Sequence, residues 1–278
     1  MKLGLALSGG GTRGAAHIGA IKAFEENGIK FDFVGGTSAG SMAATLYSMG
    51  VTSDEMLKIL KTFAKEMLGV SPKSIILNMR EKRDFHLRGL TTGQNIELIF
   101  EEIAKTKEIT NIKDIKMPLA ITAVDIITGE KKVFTNSFID RDYYIKNIGI
   151  GKAVRASSSV PGVYSPLEFE KYQFVDGGLL DNVPVTEVKK LGADRVVAIN
   201  FEFDRENKSR NFIDILTKSL DIMSTKIIED ELYMSDCVIK VNAKKLGMFD
   251  ADSIDEAYKR GYEAAKEKIE EIKKMIEE

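Results

Sequence analysis

Apolar positions along this chain follow two rhythms. Short unbroken runs occur at residues 3–8 (LGLALS), 31–34 (FDFV), 118–127 (PLAITAVDII), 195–201 (RVVAINF) and 237–241 (CVIKV), each of a length that suits a buried strand. Between them, apolar residues recur every three or four positions. Ile18, Ile21 and Phe24 predict a helix over about 15–26 that Gly28 closes, and Ile96, Ile99, Phe100 and Ile103 predict another over about 92–105. Lys131 to Thr135 reads as the hairpin partner of the 118–127 strand, across Thr128-Gly129-Glu130. Residues 213–231 read as helical. Residues 253–278 read as one long charged helix with a stripe of Ile254, Tyr258, Gly261, Ala265, Ile269, Ile272 and Ile276, started by Ser253 with Asp255 and Glu256. The mixture is that of an α/β chain.

Residues 51–88 differ in character. Met56, Leu57, Ile59, Leu60, Phe63, Met67 and Leu68 keep helical spacing, and a second apolar run follows at 75–79. Interleaved with them are Lys58, Lys61, Lys65, Lys73, Arg80, Lys82, Arg83 and Arg88. A helix packed on the core with a solvated basic face has this pattern. So does a mobile cap that meets an anionic surface.

The strongest local signal for chemistry lies in residues 31–41, FDFVGGTSAGS. Phe33 and Val34 end a strand, residues 41–49 suit a helix, and Gly36-Thr37-Ser38-Ala39-Gly40 between them has the form G-x-S-x-G. Gly36 and Gly40 allow a tight turn that lifts the Ser38 hydroxyl off the sheet at a helix N-terminus, the exposure a nucleophile needs. An ordinary strand-to-helix loop with a serine cap has the same composition.

A second glycine loop, Gly9-Gly10-Gly11-Thr12-Arg13-Gly14, joins the first strand to the first helix and makes an anion-binding device of backbone amides and helix dipole. Two readings of the anion compete. Gly9, Gly11 and Gly14 satisfy G-x-G-x-x-G, and Asp32 stands 18 residues beyond Gly14, which leaves a nicotinamide or flavin protein as an alternative. In the other reading the loop amides form an oxyanion hole for an acyl intermediate on Ser38. The second accounts for both glycine loops, whereas Asp32 precedes the apolar end of its strand.

Residues 172–181, YQFVDGGLLD, place Asp176 at a strand end before Gly177 and Gly178. This is either a plain D-G turn or a carboxylate on the same side of the sheet as the glycine loops. The serine run Ser157-Ser158-Ser159 before Pro161 reads as a loop or helix end. A serine triad needs a histidine, and the chain has only His17 and His86. His86, in EKRDFHLR, reads as exposed; His17, just after the first glycine loop, is a rival base. An aspartate base is weak unless burial raises its pKa.

Composition narrows the classes. The 278 residues allow one large α/β domain or two small ones. With 40 basic against 42 acidic residues and a net charge of -2, nothing supports nucleic-acid binding. Cys237 is the only cysteine, so no internal disulfide forms, and it reads as a core residue in a reducing compartment. The N-terminal apolar run is shorter than a signal-peptide core and no run reaches the length of a membrane span. The expectation is a cytoplasmic protein, with peripheral contact to an anionic membrane surface left open. No histidine-rich, cysteine-rich or EF-hand-like cluster is present, so neither a metal nor another cofactor is expected.

In order and spacing, Gly9 to Gly14, Gly36 to Gly40, and Asp176-Gly177-Gly178 resemble the motifs of the patatin-like phospholipase family, in particular its short bacterial members related to the catalytic domain of neuropathy target esterase. The resemblance covers roughly residues 3–200, with Ala156-Ser157 through Pro161 as a weaker fourth match. It implies a single domain over 1–278, a three-layer α/β/α fold with a mostly parallel central sheet and a nucleophile elbow, and hydrolysis of a lipid ester through a Ser-Asp dyad. Ser38 is then the nucleophile and Asp176 its base; amides of Gly9, Gly10 and Gly11 hold the oxyanion, and Arg13 and Gly14 support the loop. The 51–88 stretch becomes a candidate lid over acyl chains. A non-catalytic lipid-binding or regulatory protein on the same fold is the alternative, ahead of the dinucleotide reading. Head group and chain length are set by pocket shape and are not written in the motifs.

Overall fold

The computed structural model describes residues 1–68, 88–137, 139, 142–202 and 212–277. The first half of the chain forms β1 (Leu3–Leu7), a 3-10 turn (Gly11–Gly14), α1 (Ala15–Glu26), β2 (Phe33–Thr37), α2 (Ala39–Ser48), α3 (Ser53–Leu68), α4 (Gln94–Thr106), β3 (Leu119–Asp125) and β4 (Glu130–Thr135). The second half forms β5 (Tyr144–Ile145), α5 (Ile150–Ser157), β6 (Leu167–Phe169), β7 (Tyr172–Asp176), α6 (Val185–Leu191), β8 (Arg195–Glu202), α7 (Phe212–Tyr233), β9 (Cys237–Asn242), α8 (Ile254–Lys266) and α9 (Ile269–Glu277).

Side-chain alternation in fully buried strands builds the layers. Leu3, Leu5 and Leu7 of β1 and Val197, Ile199 and Phe201 of β8 join one core with residues of α1, α3, α4, α5, α8 and α9. Ala6, Val196 and Ala198 point to the opposite face and meet Val183, Val185, Val188 and Ile228 from the α6 and α7 side. Helices therefore cover both faces of one sheet, a three-layer α/β/α sandwich. Its strand order is β5-β4-β3-β2-β1-β8-β9, with β7 on β3 and β6 on β7. The central pairs β1–β2, β2–β3, β1–β8 and β8–β9 are parallel; β4 and β7 run antiparallel to β3.

One detail of register positions everything that follows. β2 ends with Thr37 opposite Thr122 of β3. β3 continues, and β7 takes the vacated edge from the other direction, with Asp176 opposite Ala123. The C-terminal ends of β2 and β7 thus meet head to head along one side of β3.

One expectation changes, and one of the two readings of residues 51–68 is met. The C-terminal helix is interrupted at residues 267–268, where the Lys268 N–H donates to Ala265 O instead of continuing the four-residue ladder. This tightened turn lets α9 bury Ile269 and Ile272. Within 51–88, α3 buries Met56, Ala64 and Met67 and exposes Lys58, Lys61 and Lys65, a helix on the core with its basic face in water. Lys73, Arg80, Lys82, Arg83 and His86, and with them most of the candidate lid, lie outside the described residues.

Candidate active site

Ser38 stands between β2 and α2 with φ 52° and ψ -121°. Of the four non-glycine residues with positive φ among the described residues, only Ser38 is buried. Such a backbone costs about 1–3 kcal/mol and persists only where its surroundings impose it. Here the constraint is close backbone packing: a Cβ on Gly36 would lie 2.2 Å from Gly40 O, and one on Gly40 would lie 2.2 Å from Leu7 O. The Ser38 N–H donates to Ser157 Oγ at 2.9 Å, and Ser38 O accepts from Ser41 Oγ at 2.6 Å.

Asp176 closes β7 facing the same point. Its N–H donates to Ser159 O at 3.0 Å, and its Oδ1 accepts from the Gly178 N–H at 2.8 Å. Oδ2 is buried without a hydrogen-bond partner among the described residues. Burial pushes the Asp176 pKa up to about 6, against the pull of the Ser38 hydroxyl and the Gly178 N–H. Ser38 is thus near enough to act on the carboxylate while no closed hydrogen bond joins the pair; catalytic contacts of this kind tighten when substrate binds.

The first glycine loop forms the third side. Gly9 does not offer its amide to the cleft as expected of an oxyanion donor: its N–H is directed at Asn182, 3.2 Å from O and 3.1 Å from Oδ1. Gly10 and Gly11 open the 3-10 turn, whose first amides lack an intrahelical acceptor, and both residues line the cleft. Arg13 ties this loop down. Its Nε donates to Leu246 O at 3.0 Å and its Nη1 pairs with Asp221 of α7 at 3.2 Å. Thr12 adds bonds to Gly247 O and Met248 O, while Gly14 packs against Ala39, where a Cβ would come within 2.6 Å of Ala39 Cβ.

Behind the turn after Asp176, the Thr37 and Thr122 hydroxyls lie 2.6 Å apart and 2.8 and 3.2 Å from Asp181 O. The Asp181 carboxylate meets Lys131 Nζ at 2.7 Å, and Lys131 meets Glu187 at 2.8 Å. Burial works against the Lys131 charge, but Asp181 and Glu187 outweigh it and hold the ammonium above its ordinary range. Gly177 packs on Thr122, where a Cβ would lie 2.4 Å from Thr122 O. The second loop is thereby pinned to the strand that bears Ser38.

Two rivals are placed elsewhere. The His17 Nε2 donates to Ser8 O at 2.8 Å, its ring packs 5.0 Å from that of Phe201, and burial drives its pKa down to about 4. It is a neutral core residue behind the loop and lines no part of the cleft. Asp32 accepts from the Leu3 N–H at 2.8 Å, at the start of β1, whereas the glycine loop follows the end of that strand. A ribose held at the loop is out of its reach.

Ser38 lies where two branches of a cleft meet. One, of about 50 Å³, is lined by Asp176, Asn182, Asp221, Ser224, Leu179 and Met223. The other, also about 50 Å³, runs under α3 past Ala39, Met42, Leu60, Met67, Ile96 and Tyr164. Sequence reasoning gives no role to Asn182 or Asp221, and it reads Ser157 and Ser159 as a loop or helix end within a weak fourth match to the family motifs; the structure places Ser157 at the end of α5. The serine run was the one legible signal, since it supplies bonds to both Ser38 and Asp176.

The three-layer sandwich thus brings a strained serine, a buried carboxylate and a glycine loop to one cleft. The family model "Patatin-like phospholipase" matches residues 5–189, and the chain belongs to that family. The chain is 26% identical over 297 residues to lysophospholipase NTE1 of Mycosarcoma maydis, covering 97% of this chain and 15% of that one. With lysophospholipase NTE1 of Meyerozyma guilliermondii it is 32% identical over 216 residues, 77% of this chain and 14% of the other. It spans about a seventh of the length of these curated relatives. Among solved structures, VipD from Legionella pneumophila shares the fold, with a TM-score of 0.58 and 16% identity over 97% of this chain and 67% of that one.

Proposed function

We propose that the chain hydrolyses the carboxylic ester of a single-chain lipid, a lysophospholipid or similar monoacyl ester, with Ser38 as nucleophile and Asp176 as general base. The observation that carries this is the head-to-head register of β2 and β7, which sets the strained Ser38 against a buried carboxylate whose pKa lies near 6. Asp176 takes the hydroxyl proton as Ser38 Oγ bonds to the ester carbon. Amides of Gly10 and Gly11 receive the developing oxyanion, while Gly9 braces the loop. The proton passes from Asp176 to the departing alcohol, leaving an acyl-enzyme, and water deprotonated by the same carboxylate then releases the fatty acid. The single-chain preference is supported by the cleft, in which one branch carries the Asp176 and Asp221 carboxylates while the described lining of the other holds no charged side chain, and by the lysophospholipase activity for which the fungal relatives are named.

The substrate's home also has support. Ile222 is 69% exposed, Ile215 57% and Met223 54% on α7, whose Leu220, Asp221, Met223 and Ser224 wall the polar branch; Leu180 is 45% exposed nearby in the chain to Leu179 of the same wall. Exposed apolar side chains on the helix that walls the cleft fit peripheral contact with a lipid surface, and the exposed lysines of α3, which roofs the other branch, suit an anionic one. No described helix is long and apolar enough to cross a membrane. The buried free thiol of Cys237 fits a cytoplasmic setting.

Labelling with a fluorescent fluorophosphonate, followed by peptide mapping, tests the nucleophile. The label is expected on Ser38 and absent from Ser38→Ala. Asp176→Asn is expected to lower turnover of a lysophospholipid by about a thousandfold or more. A folded protein that takes no label at any pH would instead be a lipid-binding protein on this fold.

A further inference from the structure

The apolar branch does not end beside Ser38. A second cavity, of about 40 Å³, lies deeper and is bounded by Ile18, Ala43, Leu46, Met56, Ile59 and Phe100. It shares Gly11, Ala39, Met42, Leu60 and Met67 with the first. These five residues stand along both chambers, so the two form one path from the nucleophile beneath α3 to α4. Every residue that bounds the deeper chamber is apolar or glycine. Phe100 is 1% exposed and Met56 is fully buried, and both line the deeper chamber without lining the one beside Ser38, which puts them at the end of the path away from the nucleophile. Of the shared residues, Met42 and Met67 carry unbranched thioether side chains, which adapt their rotamers to a guest.

We propose that the acyl chain of the substrate runs along this path, and that Met56 and Phe100 at its far end set the longest chain the protein accepts. The proposal rests on the reading of Ser38 as an acyl-ester nucleophile, because it is the position of Ser38 at the near end that makes the path an acyl site. Charge favours this orientation over the reverse: the other branch contains the Asp176 and Asp221 carboxylates, against which a hydrocarbon chain gains nothing, whereas a polar alcohol finds partners there. α3 then acts as the roof of the acyl site. Its core-facing Met56, Ala64 and Met67 serve a ligand as well as the fold.

Titration of the Ser38→Ala protein with linear fatty acids from hexanoate to stearate, each below its micelle concentration, tests this without relying on turnover. Affinity is expected to rise about fourfold per methylene while the chain extends along the path, and to level off when it reaches Met56 and Phe100. On the same background, Ala43→Phe fills the deep chamber and moves the plateau to shorter chains; Ala43→Leu does so to a lesser degree if the larger residue prevents folding. Phe100→Ala moves the plateau to longer chains. An affinity independent of chain length, or a plateau that stays in place in the folded variants, would overturn the proposal. Failure of the hydrolase reading shows separately, as absence of fluorophosphonate label on the native serine, and leaves the fatty-acid titration interpretable.

Discussion

In the proposed reaction Asp176 is the one side chain that both takes and returns the proton. A carboxylate in water is too weak a base to deprotonate serine, and a carboxyl too tightly protonated is no base at neutral pH. Burial holds Asp176 between these limits, near 6. The acid limb of kcat/KM is therefore expected to turn at about pH 6 and to fall tenfold per pH unit below it, which a pH profile with a soluble short-chain ester reads directly. A turn near the ordinary carboxylate range would show the base to be solvated. The same shift has a sign for stability. The folded pKa lies above the unfolded value of 3.8, so the fold binds this proton more tightly than the unfolded chain does. Its contribution is fully present below pH 3.8 and is lost as pH rises through about 6; above that, the buried charge costs up to about 3 kcal/mol. Asp176→Asn, inactive, is expected to be more stable than the native protein at pH 8 and to lose that advantage toward pH 4, measured by urea unfolding at both values.

The elements around Asp176 show why some of the site was legible and some was not. Gly36 and Gly40 announce the elbow because a Cβ at either position would fall 2.2 Å from a backbone oxygen, closer than any side chain is tolerated. The Asp176-Gly177-Gly178 turn is readable for the same reason. Ser157 and Ser159 stand in plain sight, yet a serine that receives a backbone N–H looks in sequence like any serine at a helix end. Asn182 and Asp221 gave no local signal at all. They come to the cleft through pairings across 173 and 208 residues of chain, which periodicity cannot see. The break at residues 267–268 contains neither glycine nor proline, so a continuous stripe was the natural reading. Asn182 carries a prediction at this scale. Asn182→Ala removes the side-chain acceptor of the Gly9 amide and loosens the loop that offers Gly10 and Gly11. Turnover is expected to fall roughly tenfold to a hundredfold with little change in KM, since the loop acts on the transition state. A rise in KM alone would assign Asn182 to substrate binding. Lys131→Met tests the other support: it strands the buried Asp181 carboxylate, while Glu187 keeps Lys190 and Tyr144, and is expected to cost about 3 kcal/mol in chemical unfolding.

At the scale of the whole molecule, the sandwich does two things that suit the proposed lipid hydrolysis. Its sheet fixes Ser38 and Asp176 on rigid strands through the shared edge of β3, and its helical layers leave the cleft open between α3 and α7, whose outer faces differ. α3 shows lysines and α7 shows Ile215, Ile222 and Met223. A net charge of -2 gives the molecule no general attraction to an anionic surface, so any such contact must come from a local patch. A monoacyl lipid in a bilayer has to leave its neighbours to reach Ser38, and a protein that seats these faces in the interface shortens that path. Replacing both Ile215 and Ile222 with aspartate puts two charges where apolar side chains stand, and neither residue lines the cleft. The ratio of turnover on lysophospholipid carried in anionic vesicles to turnover on a monomeric short-chain ester is expected to fall at least about fivefold, in step with reduced co-sedimentation with those vesicles. An unchanged ratio would mean that the exposed face of α7 meets something other than lipid. The most direct check of that outcome is whether the apparent mass in solution falls when the same two isoleucines are replaced, as it must if the face joins two copies of the chain.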